Sequence, residues 1–464
     1  MNFTWLQENA LVIGFYLVIG LIIYFNRKRF EFQGIVALFK TKFGIKQMKT
    51  FATPLPNAKD LFGRRLFRVS LVVLGISLFA FVFGLLFGLL NDLLLYYSIF
   101  SLLILSFFSL CVSIVFFRQI KLAGTLGIYV GVLGMLFMLG LIFFGLYQLF
   151  FDPSAPPMFA PVFPGISIPG SPFKLPLFEG LIALLVVVVI HEFSHGVVSK
   201  AYKIPIKSSG FVMFGPLPGA FVEPDEKKLK KSKPKEQLSI YAAGPFSNIL
   251  LAAFVFILMF FITLLSFSLY EPSGVVVDGF IPDSGYEARG VDQLSKGEII
   301  LMIGNESVRT SFQLMNVTVT NYGPGDEVLF VTDRGERIIT LGADPRNESL
   351  PLIGIYLDNA ARGTTALSDN SVFKSVYFWL FGHPFSTNLN NALGLVALIF
   401  VLSFGIGIVN LLPAGPLDGG RMFFVFFKKK LGEKRTLKVL SFLSWTLLFL
   451  VLALVFIPII RAVI

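Results

Sequence analysis

The chain has one cysteine and three histidines in 464 residues, and only 14% of it is charged. The lone Cys111 excludes a disulfide within the chain, and because it falls inside an apolar run it says nothing of redox compartment. Such sparse charge, with 55% apolar residues and a mean hydropathy of +0.78, excludes an ordinary soluble globular protein. A compact basic domain with base-stacking motifs is also lacking, so the net charge of +11 does not point to nucleic acid as a partner.

What is abundant is apolar sequence in runs long enough to cross a bilayer. They fall at 8–26, 69–90, 93–117, 123–150, 176–200, 238–268, 391–412 and 438–460. The expectation is a polytopic α-helical membrane protein with about eight transmembrane helices, Asn91-Asp92 breaking one long run into a hairpin. Charge predicts its orientation. Residues 27–68 carry eleven Lys/Arg against Glu31 and Asp60, and 200–236 and 421–438 are also basic. Residues 271–370 carry fifteen acids against seven Lys/Arg. Counting spans puts every basic loop on one side, which the positive-inside rule makes cytoplasmic, and the acidic segment outside together with the N-terminus. Near residues 39–51 the basic stretch reads equally as an interfacial amphipathic helix or a solvated linker.

Four regions follow: N-terminal helices and a basic loop over 1–150, a first membrane core over 151–270, an inserted small α+β domain over 271–365, and a second membrane core over 366–464. The proline-filled stretch 152–175 cannot be a regular helix and reads as an outer loop lying against the membrane. The insert alternates short β-branched runs with polar turns: Gly274–Val277, Gly297–Asn305, Asp326–Val331 and Arg337–Leu341. Its three Asn-x-Ser/Thr sequons fit an external location.

Chemistry concentrates at His191-Glu-Phe-Ser-His195, at the end of an apolar run that begins at Leu181. Histidines at i and i+4 share one helix face and can converge on one metal, with Glu192 beside them to act on a metal-activated water. From this composition a chance H-E-x-x-H has a probability on the order of 10⁻³. His191 lies nine residues before Lys200, roughly 13 Å at the helical rise, so the site is sunk below the membrane surface. Ionisable groups at that depth are costly and usually functional.

Three further features bear on it. Residues 209–224 are apolar, with Gly215 and Gly219 breaking any helix, and read as a re-entrant hairpin whose strand edge could pair with an extended peptide. Asn248, in Gly244-Pro-Phe-Ser-Asn248, could donate to a substrate carbonyl or pack against a neighbouring helix. Asn410-Leu-Leu-Pro413 leads to Asp418-Gly-Gly, which span parity brings to the same side as His195 as a third ligand, unless it only caps the next helix. His383 reads as structural.

H-E-x-x-H, then G-P-x-x-N, then N-x-x-P-x-x-x-x-D-G, in this order over about 160–425, resembles the site-2 proteases, zinc metalloproteases that cut within the membrane. The resemblance implies His191, His195 and Asp418 as zinc ligands and Glu192 as catalytic base and acid. It implies that Asn248 and Asn410, with the hairpin glycines Gly215 and Gly219, bind substrate or shape the site. The expected partners are transmembrane protein substrates in regulated intramembrane proteolysis, and the lipid bilayer. The insert resembles a circularly permuted prokaryotic PDZ domain, which implies peptide C-termini as its ligands. Gly297-Glu298 stands where Gly-Asp is commoner, and Ser284-Gly285 where Ser-Pro is. The alternatives are a non-proteolytic zinc transporter or sensor and a PDZ scaffold. The first would want ligands in more than one span at mid-membrane and a metal-rich tail, and neither is in the sequence.

Overall fold

A computed structural model describes residues 3–34, 36–86, 93–152, 159, 163–166, 175–214, 217–281, 293–344 and 347–463. Asn91-Asp92, Gly215, Ser284-Gly285 and most of the proline-rich stretch lie outside these residues. The chain forms two compact units, Met1–Ile257 with Ile399–Ile464, and Leu258–Leu398.

The first unit begins with α1 (Phe3–Phe25), β1 (Glu31–Gln33), β2 (Val36–Thr41) and α2 (Ile45–Ala52). It continues through α3 (Asn57–Leu86), α4 (Leu93–Val115), α5 (Ile120–Phe151) and α6 (Leu177–Ala201). Then come β3 (Ile206–Phe214), β4 (Leu217–Pro224), α7 (Glu226–Lys231) and α8 (Pro234–Leu269). Among the described residues six helices are long and apolar enough to span a membrane, and Val12–Phe25 and Leu395–Val409 form two shorter apolar helices. This is an integral membrane protein, and its apolar helices, the 23-residue α1 among them, fall on the runs expected to span. Large apolar side chains such as Phe79, Phe143 and Phe150 point outward, as lipid permits.

Hydrophobicity does not bring such helices together in lipid, so small residues do. On α5, buried Gly124, Gly127, Gly131 and Gly134 recur at helical spacing. A Cβ at these positions would press on Ser239, Phe246, Met422 and Leu411 respectively. The stripe seats α5 against α8 and against the turn that carries Asp418.

Of the two readings of the basic segment, part is an amphipathic helix, α2, and part is a strand that neither reading foresaw. Val36–Thr41 pairs antiparallel with β3, Val36 opposite Phe214 and Thr41 opposite Ser209. The four-stranded sheet runs β1-β2-β3-β4. Amphipathic helix exists only as α2, whose Met48 packs so closely on Gly196 that any side chain there would strike it.

The second unit holds β5 (Tyr270–Phe280), β6 (Ile299–Ile303), β7 (Glu306–Ser307), α9 (Ser311–Asn321), β8 (Glu327–Thr332) and β9 (Gly335–Thr340). After them come β10 (Gly342–Asp344), β11 (Asn347–Leu352), β12 (Ile355–Gly363), α10 (Ala366–Asp369), α11 (Ser371–Phe381) and α12 (Leu389–Ala392). An antiparallel sheet ordered β12-β5-β6-β8-β9 covers a core that includes Val275, Ile300, Leu314, Phe330 and Ile339. The strands expected from β-branched runs are here. Gly297 takes a left-handed φ of +83°, and the buried Glu298 carboxylate accepts from Ser295 N–H at 2.9 Å and Thr332 Oγ1 at 2.6 Å. The acid at that position thus ties one strand turn to the next strand.

Within this unit Asp358 receives Asn391 Nδ2, Ser386 Oγ and Thr387 N–H. Burial raises its pKa, but these donors and Asn359 N–H outweigh burial and hold the carboxyl below its ordinary range. The chain closes with α13 (Leu395–Val409), α14 (Asp418–Leu431) and α15 (Glu433–Val463).

Candidate metal centre

The unbroken apolar run that makes α6 has no helix breaker, and it starts after Pro176 with Glu179 in its first turn. It ends where Lys203 adopts a left-handed φ of +62° and Ile204 N–H donates back to Ser199 O at 2.9 Å. That turn sends the chain into β3 and returns the hairpin alongside the helix. Val222 N–H of β4 donates to Glu192 Oε2 at 3.0 Å.

The third donor arrives from the far end of the sequence. After α13 the chain tightens at Asn410, whose carbonyl accepts from Gly419 N–H at 2.7 Å. A side chain at Gly419 would collide with the Leu411 and Leu412 carbonyls, so this reversal requires glycine. Asp418 is the first residue of α14, yet its carboxylate does not cap that helix. It turns to the histidines.

Three atoms converge there. Asp418 Oδ2 lies 3.2 Å from His191 Nε2 and 3.2 Å from His195 Nε2, and the two Nε2 atoms are 3.2 Å apart. All three residues are buried. Tetrahedral zinc bound at roughly 2.0–2.2 Å places its donors about 3.3 Å apart, so the triangle has the size of a zinc face. The tautomers agree. His195 Nδ1–H donates to Ile240 O at 2.7 Å, which leaves the Nε2 lone pair facing inward. Two inward lone pairs beside a carboxylate oxygen repel one another unless a cation lies among them. The donor set therefore fits a metal, and zinc best.

His191 is oriented by Asn248, whose amide Nδ2 stands 3.1 Å from His191 Nδ1. For Nε2 to bind metal, Nδ1 must carry the proton, so the amide must turn its oxygen to it. Asn248 Oδ1 is otherwise a buried acceptor without a partner. The structure thus places Asn248 against a histidine, fully buried, and not in the open cavity. Asn248→Ala should lower zinc affinity about 10–100-fold in a competitive chelator titration, and Asn248→Asp, which keeps an acceptor, should recover most of the loss. Equal affinities in all three proteins would remove this role.

A cavity of about 840 Å³ opens onto the donors and Glu192, lined also by Ala220, Val222, Tyr241, Asn410, Arg421 and Lys428. Asn410 reaches it, but its amide donates to Ile406 O of its own helix at 3.0 Å. Gly219 packs beside Val212 in the hairpin and is not among the cavity-lining residues described. His383 lies in the other unit, ring against Phe378.

Sequence reasoning missed Gly244. Its Cα faces the donors so closely that a Cβ would collide with Nε2 of both His191 and His195. The signal was present as the glycine of Gly-Pro-x-x-Asn, but nothing in the motif says which side of the helix faces the histidines.

Residues 179–454, more than half of the chain, match the model of peptidase family M50. A Methanocaldococcus jannaschii protein of no assigned function is 29% identical over 254 residues, 54% of this chain and 58% of that one. The zinc metalloprotease RasP of Geobacillus kaustophilus is 26% identical over 247 residues, 46% of this chain and 56% of its own. RasP of Shouchella clausii is 28% identical over 233 residues, covering 43% and 52%. The chain spans little more than half the length of these curated relatives. The extent of the match, with the three motifs folded into one buried donor cluster, places this chain in peptidase family M50, the site-2 protease family.

Proposed function

We propose that the protein is an intramembrane zinc metalloprotease that hydrolyses peptide bonds within or near transmembrane segments of other membrane proteins. The observation that carries this reading is the 3.2 Å triangle of His191, His195 and Asp418 donors with Glu192 beside it in one cavity. The names of the RasP relatives agree with it. Among the described residues this is the one cluster of three or more such donors, whereas a transporter would need a succession of sites. The charge pattern supports an orientation with the N-terminus and the insert outside and the site toward the cytoplasm.

His191, His195 and Asp418 would hold the zinc. Bound there, zinc supplies Lewis acidity that makes water nucleophilic near neutral pH and polarises the scissile carbonyl. Glu192 takes the proton of the attacking water and delivers it to the leaving amine. Val222 N–H fixes one of its oxygens and leaves the other for this transfer.

A peptide bond in a helix is hydrogen-bonded within itself, so a substrate must unwind before it can be cut. Strand β4 offers the compensation. β3 is covered on its far side by β2, and β4 is an edge. Because Val222 N–H points away from β3 toward Glu192, alternation turns the N–H and C=O of Ala220 to the same free edge. An unwound segment pairing there lies beside the base. Ala220→Pro, which removes one such donor, should raise KM about tenfold in a reconstituted single-span cleavage assay while zinc content stays unchanged. An unaltered KM would exclude edge pairing.

The insert is assigned, by its resemblance, as a PDZ-like domain that reads peptide C-termini. Deleting 271–365 should change which substrates are cut without ending turnover. Loss of all cleavage in the folded deletion protein would refute that role.

A further inference from the structure

A second cavity lies on the face of α6 turned away from the cavity just described. It measures about 320 Å³, within the range of roughly 300–1,000 Å³ of ligand pockets, and its walls include Phe51, Ile120, Phe193, Val197 and Phe246. The two hydroxyls in its wall are already used, Ser194 Oγ by Ile190 O and Ser247 Oγ by Gly244 O. What remains is apolar.

Its place in the chain is informative. The wall residues come from α2, the last turn of α4, the first turn of α5, Phe193–Val198 of α6 and Ala243–Leu250 of α8, so the pocket runs from the ends of α4 and α5 inward to the depth of the metal site. The same elements carry lysines there: Lys49 two residues before Phe51, Lys121 directly after Ile120, and Lys200 three residues after Val197. Lys49 lies close enough to Lys200 to repel it, and Lys121 Nζ stands 5.6 Å from the ring centre of Tyr202, just past α6. Among the described residues no carboxylate pairs with any of the three. Asp60, held by Gln119 at 3.0 Å, is already bridged to Arg64 at 3.0 Å.

We propose that this pocket and its lysines bind one anionic phospholipid, an acyl chain filling the cavity and the phosphate meeting Lys49, Lys121 and Lys200. Dry apolar walls suit a hydrocarbon tail, and three cations on the pocket's own elements, none paired with a carboxylate among the described residues, suit an anionic headgroup. The site touches the metal centre from behind. Phe193 and Ser194 directly follow Glu192, and Ala243 and Phe246 flank Gly244, so the bound chain sits between α6 and α8 where their spacing sets the histidine positions. The lipid is therefore a wedge that preserves the metal site.

Native mass spectrometry of the full chain, with phosphatidylglycerol competing against phosphatidylcholine of identical chains, tests this without any cleavage assay. It therefore stands or falls separately from the protease reading. One phosphatidylglycerol per chain is expected, preferred on the order of a hundredfold, from about fivefold for each lysine. Substituting Lys49→Gln, Lys121→Gln and Lys200→Gln together should bring the preference near parity. Ser194→Phe should block retention of either lipid and speed zinc loss to chelator. Val115→Trp, at a half-exposed wall position that tolerates bulk, repeats the test should Ser194→Phe misfold. Undiminished preference in the triple variant, undiminished retention in Val115→Trp, or equal thermal stabilisation by inorganic phosphate would each overturn the proposal.

Discussion

Glu192→Gln should leave zinc bound at wild-type stoichiometry and reduce cleavage of a single-span substrate by at least about 10²–10⁴-fold. The amide is isosteric and can still accept from Val222 N–H through its oxygen, so the hairpin contact at 3.0 Å survives. The ligand triangle does not include Glu192, so nothing in metal affinity depends on its charge beyond a long-range contribution. What the substitution removes is a group able to hold a proton between the water and the leaving nitrogen. Metal analysis together with gel-based cleavage in proteoliposomes separates these two outcomes. Zinc present with substantial cleavage would end the assignment of the base, and zinc absent would mean that Glu192 serves the metal site itself.

The second large effect is expected from a single methyl group. Gly244→Ala puts a Cβ onto Nε2 of both histidines, where the zinc donors must stand. Helix α8 is held from the other side, because Ser403 Oγ of α13 donates to Asn248 O at 2.9 Å and α13 packs so closely at Gly407 that a Cβ there would stand 3.1 Å from Asn248 Cβ and 3.3 Å from Pro245 O. The rings must move instead, and displacements of about half an ångström ruin a metal geometry. Zinc affinity should fall more than 100-fold, beyond the 10–100-fold typical of lost outer hydrogen bonds. Thermal unfolding of the metal-free proteins should remain comparable. Wild-type zinc affinity in Gly244→Ala would show that α8 and α6 sit further apart than described.

The helix that carries the two histidines, the acid that meets them and the β-rich insert were legible because each depends on local pattern: i,i+4 histidines in an apolar run, a Gly-Gly turn after an acid, alternating β-branched residues. The four-stranded sheet was half legible. Its hairpin announced itself through glycine and proline, but the β2 strand lies 170 residues earlier in a basic stretch, where Lys40 breaks the apolar alternation that Val36 and Leu38 begin. Pairing across such separation leaves no periodicity to read. Asn248 stood out as an amide that needs a partner, and in the structure that partner is His191. A buried amide in a helix announces that it needs a partner, without saying whether that partner is a substrate or a ligand histidine. Gly244 was invisible for the opposite reason, since a residue that acts by having no side chain has no chemistry to flag.

The distance in sequence between the donors has a consequence for biogenesis. His195 and Asp418 are separated by 223 residues. During synthesis a nascent chain therefore carries a two-histidine pair, short of the three protein ligands that hold a hydrolytic zinc, until Asp418 has left the ribosome. On the proposed function, the half-synthesised chain is therefore not yet a competent hydrolase. Order of translation does here what a removable pro-segment does in secreted hydrolases.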